Sequence, residues 1–167
     1  LVCVGILEPR KNQAFLLETC AGLWEEGMDF ALHVVGRVNP HFGKPIADRM
    51  QALAKSEPRF RFHAAAGDEA LGRLYATARA VVFPTIAEGC GLPLLEALWR
   101  GVPCVCSDLP VLRENADAGG CLVTPGLVDL HTHLADISTA LGIPVSIPDE
   151  FLARNRIQNL KEIDLKA

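Results

Sequence analysis

Residues 84–108 read PTIAEGCGLPLLEALWRGVPCVCSD, and this stretch contains the structural unit that the rest of the chain repeats. It begins at the end of a short Val-rich run, "AVVFP" (80–84). It then crosses a loop with Gly89 and Gly91 and enters an apolar helical pattern, "PLLEALWRG". Pro93 stands where a first helical position favours proline, and Gly101 where the residue after a helix favours glycine. A second buried-strand run, "PCVCS" (103–107), follows. Short apolar strands on either side of a crossover helix imply parallel pairing, with both faces of the sheet covered. Two carboxylates mark the crossover: Glu88 before the glycines and Glu96 inside the apolar run.

The same unit recurs in both directions. "LVCVG" (1–5), "FALHVVG" (30–36), "RFRFHA" (59–64) and "GCLVTP" (120–125) complete a set of about six strands. Between them lie "QAFLLETCAGLWEEG", "KPIADRMQALAKS", "DEALGRLYATA", the short "VLRENAD" and "VDLHTHLADISTALG", each with apolar residues at helical spacing or an acidic opening. The expected fold is α/β: a Rossmann-like, doubly wound parallel sheet with helices on both faces. The pattern stops at Gly142. Residues 143–167 read as a linker with two prolines followed by a peripheral helix or tail.

Composition narrows the function. The chain has 167 residues, 50% hydrophobic and 22% charged, with a net charge of −4. That balance suits one globular domain and disfavours a nucleic-acid or anionic-membrane surface, which needs a basic face. No apolar run reaches the roughly 20 residues of a membrane span. The six cysteines include no C-x-x-C pair and mostly lie in apolar segments, as buried thiols do. His131 and His133, two apart on an expected helix, diverge and are not expected to share a metal. The chain opens directly in strand sequence, so an excised domain is expected.

In such a sheet, ligands bind beyond the carboxyl ends of the strands. The loops there carry Arg10 and Lys11 after strand 1, Arg37 and Lys44 after strand 2, and "AAAGDE" after strand 3. "TIAEGCGLP" follows strand 4, and Asp108 follows strand 5. Cations, small residues and carboxylates on one rim suit a phosphorylated, hydroxyl-rich ligand. Gly89 and Gly91 allow close backbone approach and angles closed to other residues, and the helix that follows favours an anion at its start. Glu96, a turn further on, is placed to accept hydrogen bonds from sugar hydroxyls. An ion pair with Arg100 at i,i+4 is its simpler alternative. Asp108 either touches the ligand or caps the next turn.

Together, "VGILEPRKN", "LHVVG", "GDEALGRLYATARAVVFPT", "EGCGLPLLEALWRGVPCVCSD" and "GGCLVTP" resemble the C-terminal half of a GT-B, family 4 (group 1) retaining glycosyltransferase. The resemblance covers roughly residues 1–142, and its most specific element is the Glu88–Glu96 spacing. It implies a nucleotide-sugar-binding domain whose acceptor domain, N-terminal to it, is absent from this chain. It further implies that Lys11 and Arg10 neutralise the donor diphosphate. Glu88, with Gly89, Cys90, Gly91 and Leu92, would contact the transferred sugar and phosphates. Glu96 would hold the ribose hydroxyls, and backbone near Ala65 and Ala66 would meet the base. Such enzymes need no metal or other cofactor. The implied donor is a nucleotide-diphosphate sugar, GDP-mannose first and a UDP-sugar second, and the acceptor a glycan or lipid-linked glycan. The implied setting is bacterial surface polysaccharide assembly in the cytoplasm, with membrane contact only through the missing part. This domain alone would bind donor and transfer little. A non-catalytic nucleotide- or partner-binding module and a nucleotide-sugar epimerase are the alternatives.

Overall fold

The computed structural model describes residues 1–116 and the strand at 121–124. Six strands form one parallel sheet: β1 (Val2–Val4), β2 (Leu32–Val35), β3 (Phe60–His63), β4 (Val81–Phe83), β5 (Cys104–Ser107) and β6 (Cys121–Thr124). Their order is β3-β2-β1-β4-β5-β6. Every neighbouring pair runs parallel, with Val2 opposite His33 on one side and Val81 on the other. The chain therefore winds outward from β1 to β3, then returns to pair β4 against the other edge of β1. That reversal between β1 and β4 is where a doubly wound sheet opens a crevice.

Five helices make the crossovers: α1 (Gln13–Glu25), α2 (Lys44–Ser56), α3 (Asp68–Thr77), α4 (Leu92–Trp99) and α5 (Pro110–Ala116). Strand side chains alternate between two cores. On one face Cys3, Leu32, Val34, Phe60 and Val82 pack with Leu16, Leu17, Cys20 and Leu23 of α1 and Met50 of α2. On the other, Val81, Phe83, Cys104 and Cys106 pack with Tyr75 of α3, Leu94 and Ala97 of α4 and Leu112 of α5. Each fully buried leucine in these layers is worth about 2–5 kcal/mol against truncation to alanine. The six expected strands and the five helices expected between them are present among the described residues. The helix expected within "VDLHTHLADISTALG", His131, His133 and the tail after Gly142 lie outside them.

Local signals explain the helix ends. Gly101, at φ 68, terminates α4 in the left-handed conformation that glycine adopts without penalty. Pro93 is the second residue of α4 rather than the first, because the helix opens at Leu92. Its missing N–H still falls among the four that a helix start leaves unpaired. Asp68 and Glu69 occupy the first turn of α3, where the helix dipole favours negative charge.

Two glycines set how closely β1 and β2 approach at their carboxyl ends. A Cβ on Gly36 would fall 1.8 Å from the Gly5 carbonyl oxygen, and that oxygen belongs to backbone that cannot give way. The glycine ending of "LHVVG" is thus a steric requirement of the crevice floor.

Candidate functional site

The loop after β1 is a single 3-10 turn, Pro9–Lys11, which the apolar periodicity of the sequence does not reveal. Asn12 closes it at φ 56, a left-handed conformation that asparagine tolerates better than most residues. The turn sends its two cations to different surroundings. Arg10 remains partly exposed, whereas Lys11 is buried with its stem against Gly5 and its ammonium 5.1 Å from the centre of the Phe83 ring. A lysine nitrogen so placed needs a counter-charge. It has one in Glu88, whose Oε2 accepts a very short hydrogen bond from Lys11 Nζ. The Lys11 and Glu88 side chains are only 9% and 11% exposed.

Arg10 is held between two carboxylates. Its Nε lies 2.5 Å from Glu8 Oε1, and its Nη1 lies 3.7 Å from Glu88 Oε1 and donates to the Ala87 carbonyl at 3.1 Å. Backbone bonds join the same two loops. The Arg10 carbonyl accepts from the Ile86 N–H at 2.8 Å and lies 3.0 Å from the buried Thr85 hydroxyl. That hydroxyl is also 2.9 Å from the Ala87 carbonyl. The loops after β1 and β4 are therefore one stitched unit across the crevice. Burial by itself pushes the Glu88 carboxyl up. The Lys11 hydrogen bond, the Gly89 N–H and the charges of Lys11 and Arg10 outweigh it and hold the group below the usual carboxylate range. Glu88 is thus an anion poised between two cations.

Gly91 and Gly89 differ in a way the sequence does not disclose. Gly91 sits at φ 75, and a Cβ there would come 2.5 Å from Leu112 Cδ2. Gly89 is absent from the left-handed region and has open space where a Cβ would stand. The expectation that both glycines take angles closed to other residues holds for Gly91 alone. The loop is anchored from α5, where Asn115 Nδ2 donates to the Cys90 carbonyl at 3.0 Å. Cys90 and Leu92 are exposed at its tip.

Glu96 lies one turn into α4, and its partner is one that sequence spacing does not indicate. Tyr75, fully buried in α3, donates its hydroxyl to Glu96 Oε2 at 3.0 Å. Burial, then the Glu96 charge, pushes the Tyr75 phenol well up, so it remains a donor. Arg100 does not make the i,i+4 ion pair with the Glu96 carboxylate. Its guanidinium sits 4.7 Å above the Tyr75 ring and donates to the Glu96 backbone carbonyl at 3.3 Å.

Ala65 and Ala66 line an open pocket of about 320 Å³ between the ends of β1, β2 and β3, together with Gly5, Ile6, Gly36 and Arg37. Arg37 thus belongs to the rim, as expected of it. Lys44 does not: it is the first residue of α2, exposed and paired with Asp48 at 2.8 Å. Asp108, read as touching the ligand or capping the next turn, is bound in a fork by Arg113 of α5. Among the described residues, no group of three or more His, Cys, Asp or Glu is placed to hold a metal. The assembled site is an anion-receptive crevice edged by a carboxylate suited to hydroxyls and by a small, neutral-walled pocket.

Comparison with known proteins bears on the family and the fold. The chain is 34% identical over 115 residues to the serotype-specific mannosyltransferase WbdA of Escherichia coli, a match covering 69% of this chain and 14% of WbdA. It is 35% identical over 127 residues to the O-antigen chain mannosyltransferase B of Escherichia coli, covering 75% and 33%. The chain therefore spans a third or less of these relatives. Among solved structures, Anabaena HepE in complex with UDP superposes with a TM-score of 0.68 at 20% identity, covering 84% of this chain and 38% of HepE. Starch Synthase IV of Arabidopsis thaliana, bound to ADP and acarbose, gives 0.67 at 16% identity, covering 91% and 32%. These structural likenesses bear on the fold. The sequence profile of the glycosyl transferases group 1 matches residues 1–140, and on a sheet, crevice and loop arrangement of this kind the chain belongs to that family.

Proposed function

We propose that this chain is the donor-binding half of a retaining glycosyltransferase that moves a sugar from a nucleotide diphosphate to a glycan or lipid-linked acceptor. The observation that carries the reading is the meeting of Lys11, Arg10, Glu88 and the start of α4 in one stitched crevice at the β1–β4 reversal. The names of the relatives and the UDP carried by HepE favour the same reading, with mannose as the first-choice sugar. The nucleoside would lie along the β1–β3 ends, with its base against Ala65 and Ala66 and its ribose hydroxyls on Glu96. The diphosphate would face Lys11, Arg10 and the Gly89–Leu92 amides. Acceptor binding would belong to a domain N-terminal to this chain. No helix among the described residues is long and apolar enough to cross a membrane. The enzyme would work in the cytoplasm, where nucleotide sugars are made, or at the inner face of the membrane.

The chemistry follows from charge. As the anomeric carbon–oxygen bond breaks, negative charge grows on the departing diphosphate while the sugar becomes oxocarbenium-like. Lys11, Arg10 and the α4 N-terminus are fixed positive groups facing the growing charge, the arrangement that lowers a barrier most. The acceptor oxygen attacks the face the leaving group vacates, and its proton passes to the departing phosphate, giving retention. Glu88 would contact the transferred sugar once the diphosphate has taken its place on Lys11. Removing Lys11 should cost on the order of 10²-fold in rate.

The test is calorimetric titration of GDP, UDP and ADP into the wild-type protein, Lys11→Ala and Glu96→Gln, with transfer from the corresponding nucleotide sugars measured on the intact enzyme. The reading expects base-selective binding that either substitution weakens, and transfer that Lys11→Ala slows on the order of 10²-fold. Binding unchanged by both substitutions overturns it. Turnover of donor to an epimer without acceptor would assign the epimerase instead.

A further inference from the structure

Tyr75 stands in a part of the molecule that the donor-site reading does not use, yet it touches a residue central to that reading. It is a phenol buried between α3 and α4, and its hydroxyl meets the carboxylate of Glu96. A buried hydroxyl needs a partner, but any carbonyl would serve. Here it is satisfied by one oxygen of a half-buried carboxylate at the crevice, and no other protein partner of that carboxylate is found among the described residues. Oε2 is therefore pinned, while Oε1 is left for a ligand.

Arg100 makes this arrangement informative. It lies four residues after Glu96 on the same helix, the spacing at which a glutamate and an arginine pair. Instead its guanidinium is drawn onto the Tyr75 ring at 4.7 Å and onto the Glu96 backbone carbonyl. The aromatic face holds the cation by attraction to its π-cloud, and the same ring's hydroxyl occupies the carboxylate oxygen. One side chain thus fixes the rotamer of Glu96 and keeps the adjacent cation off it.

We infer that Tyr75 is a positioning residue for ribose recognition: it holds Glu96 in one orientation, free of Arg100, so that the carboxylate accepts both vicinal hydroxyls of the nucleotide. The inference rests on the donor-site reading and adds how that site keeps its selectivity for a ribose diol. A carboxylate that accepts two hydroxyls at once must be held still. If it were free to turn toward Arg100, each encounter with nucleotide would have to break an ion pair first.

The experiment measures dissociation constants of the intact protein for GDP and UDP and for their 2′,3′-dideoxy analogues. Wild type is compared with Tyr75→Phe, Tyr75→Leu and Tyr75→Leu/Arg100→Gln. Tyr75→Phe keeps the ring and removes only the hydroxyl. It is expected to shrink the preference for the ribose form about tenfold, since a hydrogen bond to a charged group is lost. Affinity for the dideoxy form should stay unchanged, which a merely structural role would not produce. Tyr75→Leu should shrink the preference further, and adding Arg100→Gln should restore part of it. In a Glu96→Ala background, Tyr75→Phe should have no effect. A wild type that prefers the ribose form, with the same preference in Tyr75→Phe, overturns the inference and leaves the donor site standing. A wild type that binds neither nucleotide, or does not distinguish the two sugars, overturns the assignment of Glu96 and the inference with it.

Discussion

Lys11 and Glu88 neutralise each other across the β1–β4 crevice, although 77 residues separate them in sequence. On the proposed reading, a diphosphate entering the site would compete with Glu88 for the same ammonium. Glu88→Gln is therefore expected to bind bare GDP or UDP several-fold to about tenfold more tightly than wild type while losing transfer. Equal or weaker nucleotide binding by this variant would show that the carboxylate is no competitor.

The same pair sets a pH dependence. The Glu88 carboxyl titrates below its ordinary value in the folded protein. Its stabilising contribution is present above the unfolded-chain value, near 4.3, and is lost as pH falls through the folded one. Denaturant melts should show wild type more stable than Glu88→Gln by about 1–3 kcal/mol at pH 7, with the gap closing in acid. A gap that widens in acid would contradict the assignment.

The glycine loop offers a matched pair. Gly91→Ala forces a Cβ into φ 75 and against Leu112, so loss of both nucleotide binding and stability is expected. Gly89→Ala meets no atom within 4 Å, so the fold should be indifferent to it. Any effect should appear only in ligand affinity, by reducing the space that phosphates bound as proposed would occupy. Thermal melts with and without nucleotide separate the two.

Elsewhere the contrast is one of stability alone. Gly72 lies inside α3, and a methyl group added there would meet nothing within 4 Å. Gly72→Ala should stabilise the protein by about 0.5–1 kcal/mol. Gly36→Ala should prevent folding, because the contact it creates is with backbone. Expression and urea denaturation of the two variants check this.

Thiol chemistry should follow burial. Cys3 and Cys20 are pushed up to about 12 by burial, and Cys104 and Cys106 are buried with them, whereas Cys90 is exposed. Among these five, a slow alkylating reagent should label Cys90 first and the others only on unfolding. GDP or UDP should slow the labelling if the phosphates lie on its loop.

The elements that the sequence discloses are those whose burial repeats locally. Ile46, Met50 and Leu53 recur at helical spacing, and α2 runs from Lys44 to Ser56 as that spacing indicates. Short apolar runs mark the strands, Val-rich at β1, β2 and β4, where both faces of the parallel sheet are covered. The Glu88–Glu96 spacing is legible as well, since a helix start converts sequence distance into position. What stays hidden depends on partners remote in the chain. Nothing near Lys11 announces that it is buried over Phe83, and nothing near Glu96 announces Tyr75. The spacing of Glu96 and Arg100 suggests an ion pair, yet a competing aromatic from α3 decides the outcome.

The central β1–β4 pairing also governs when the site comes into being as the chain folds. Arg10 and Lys11 are carried by the β1–β3 half, and Glu88 and Glu96 by the half that begins at β4. Joining the halves closes a loop of about 80 residues, a slow, non-local step compared with forming any one strand–helix unit. Neither half holds both charges of the crevice. Nucleotide binding should therefore appear only after that closure, and a ligand-dependent signal during refolding would time the union of the two halves rather than the collapse of either.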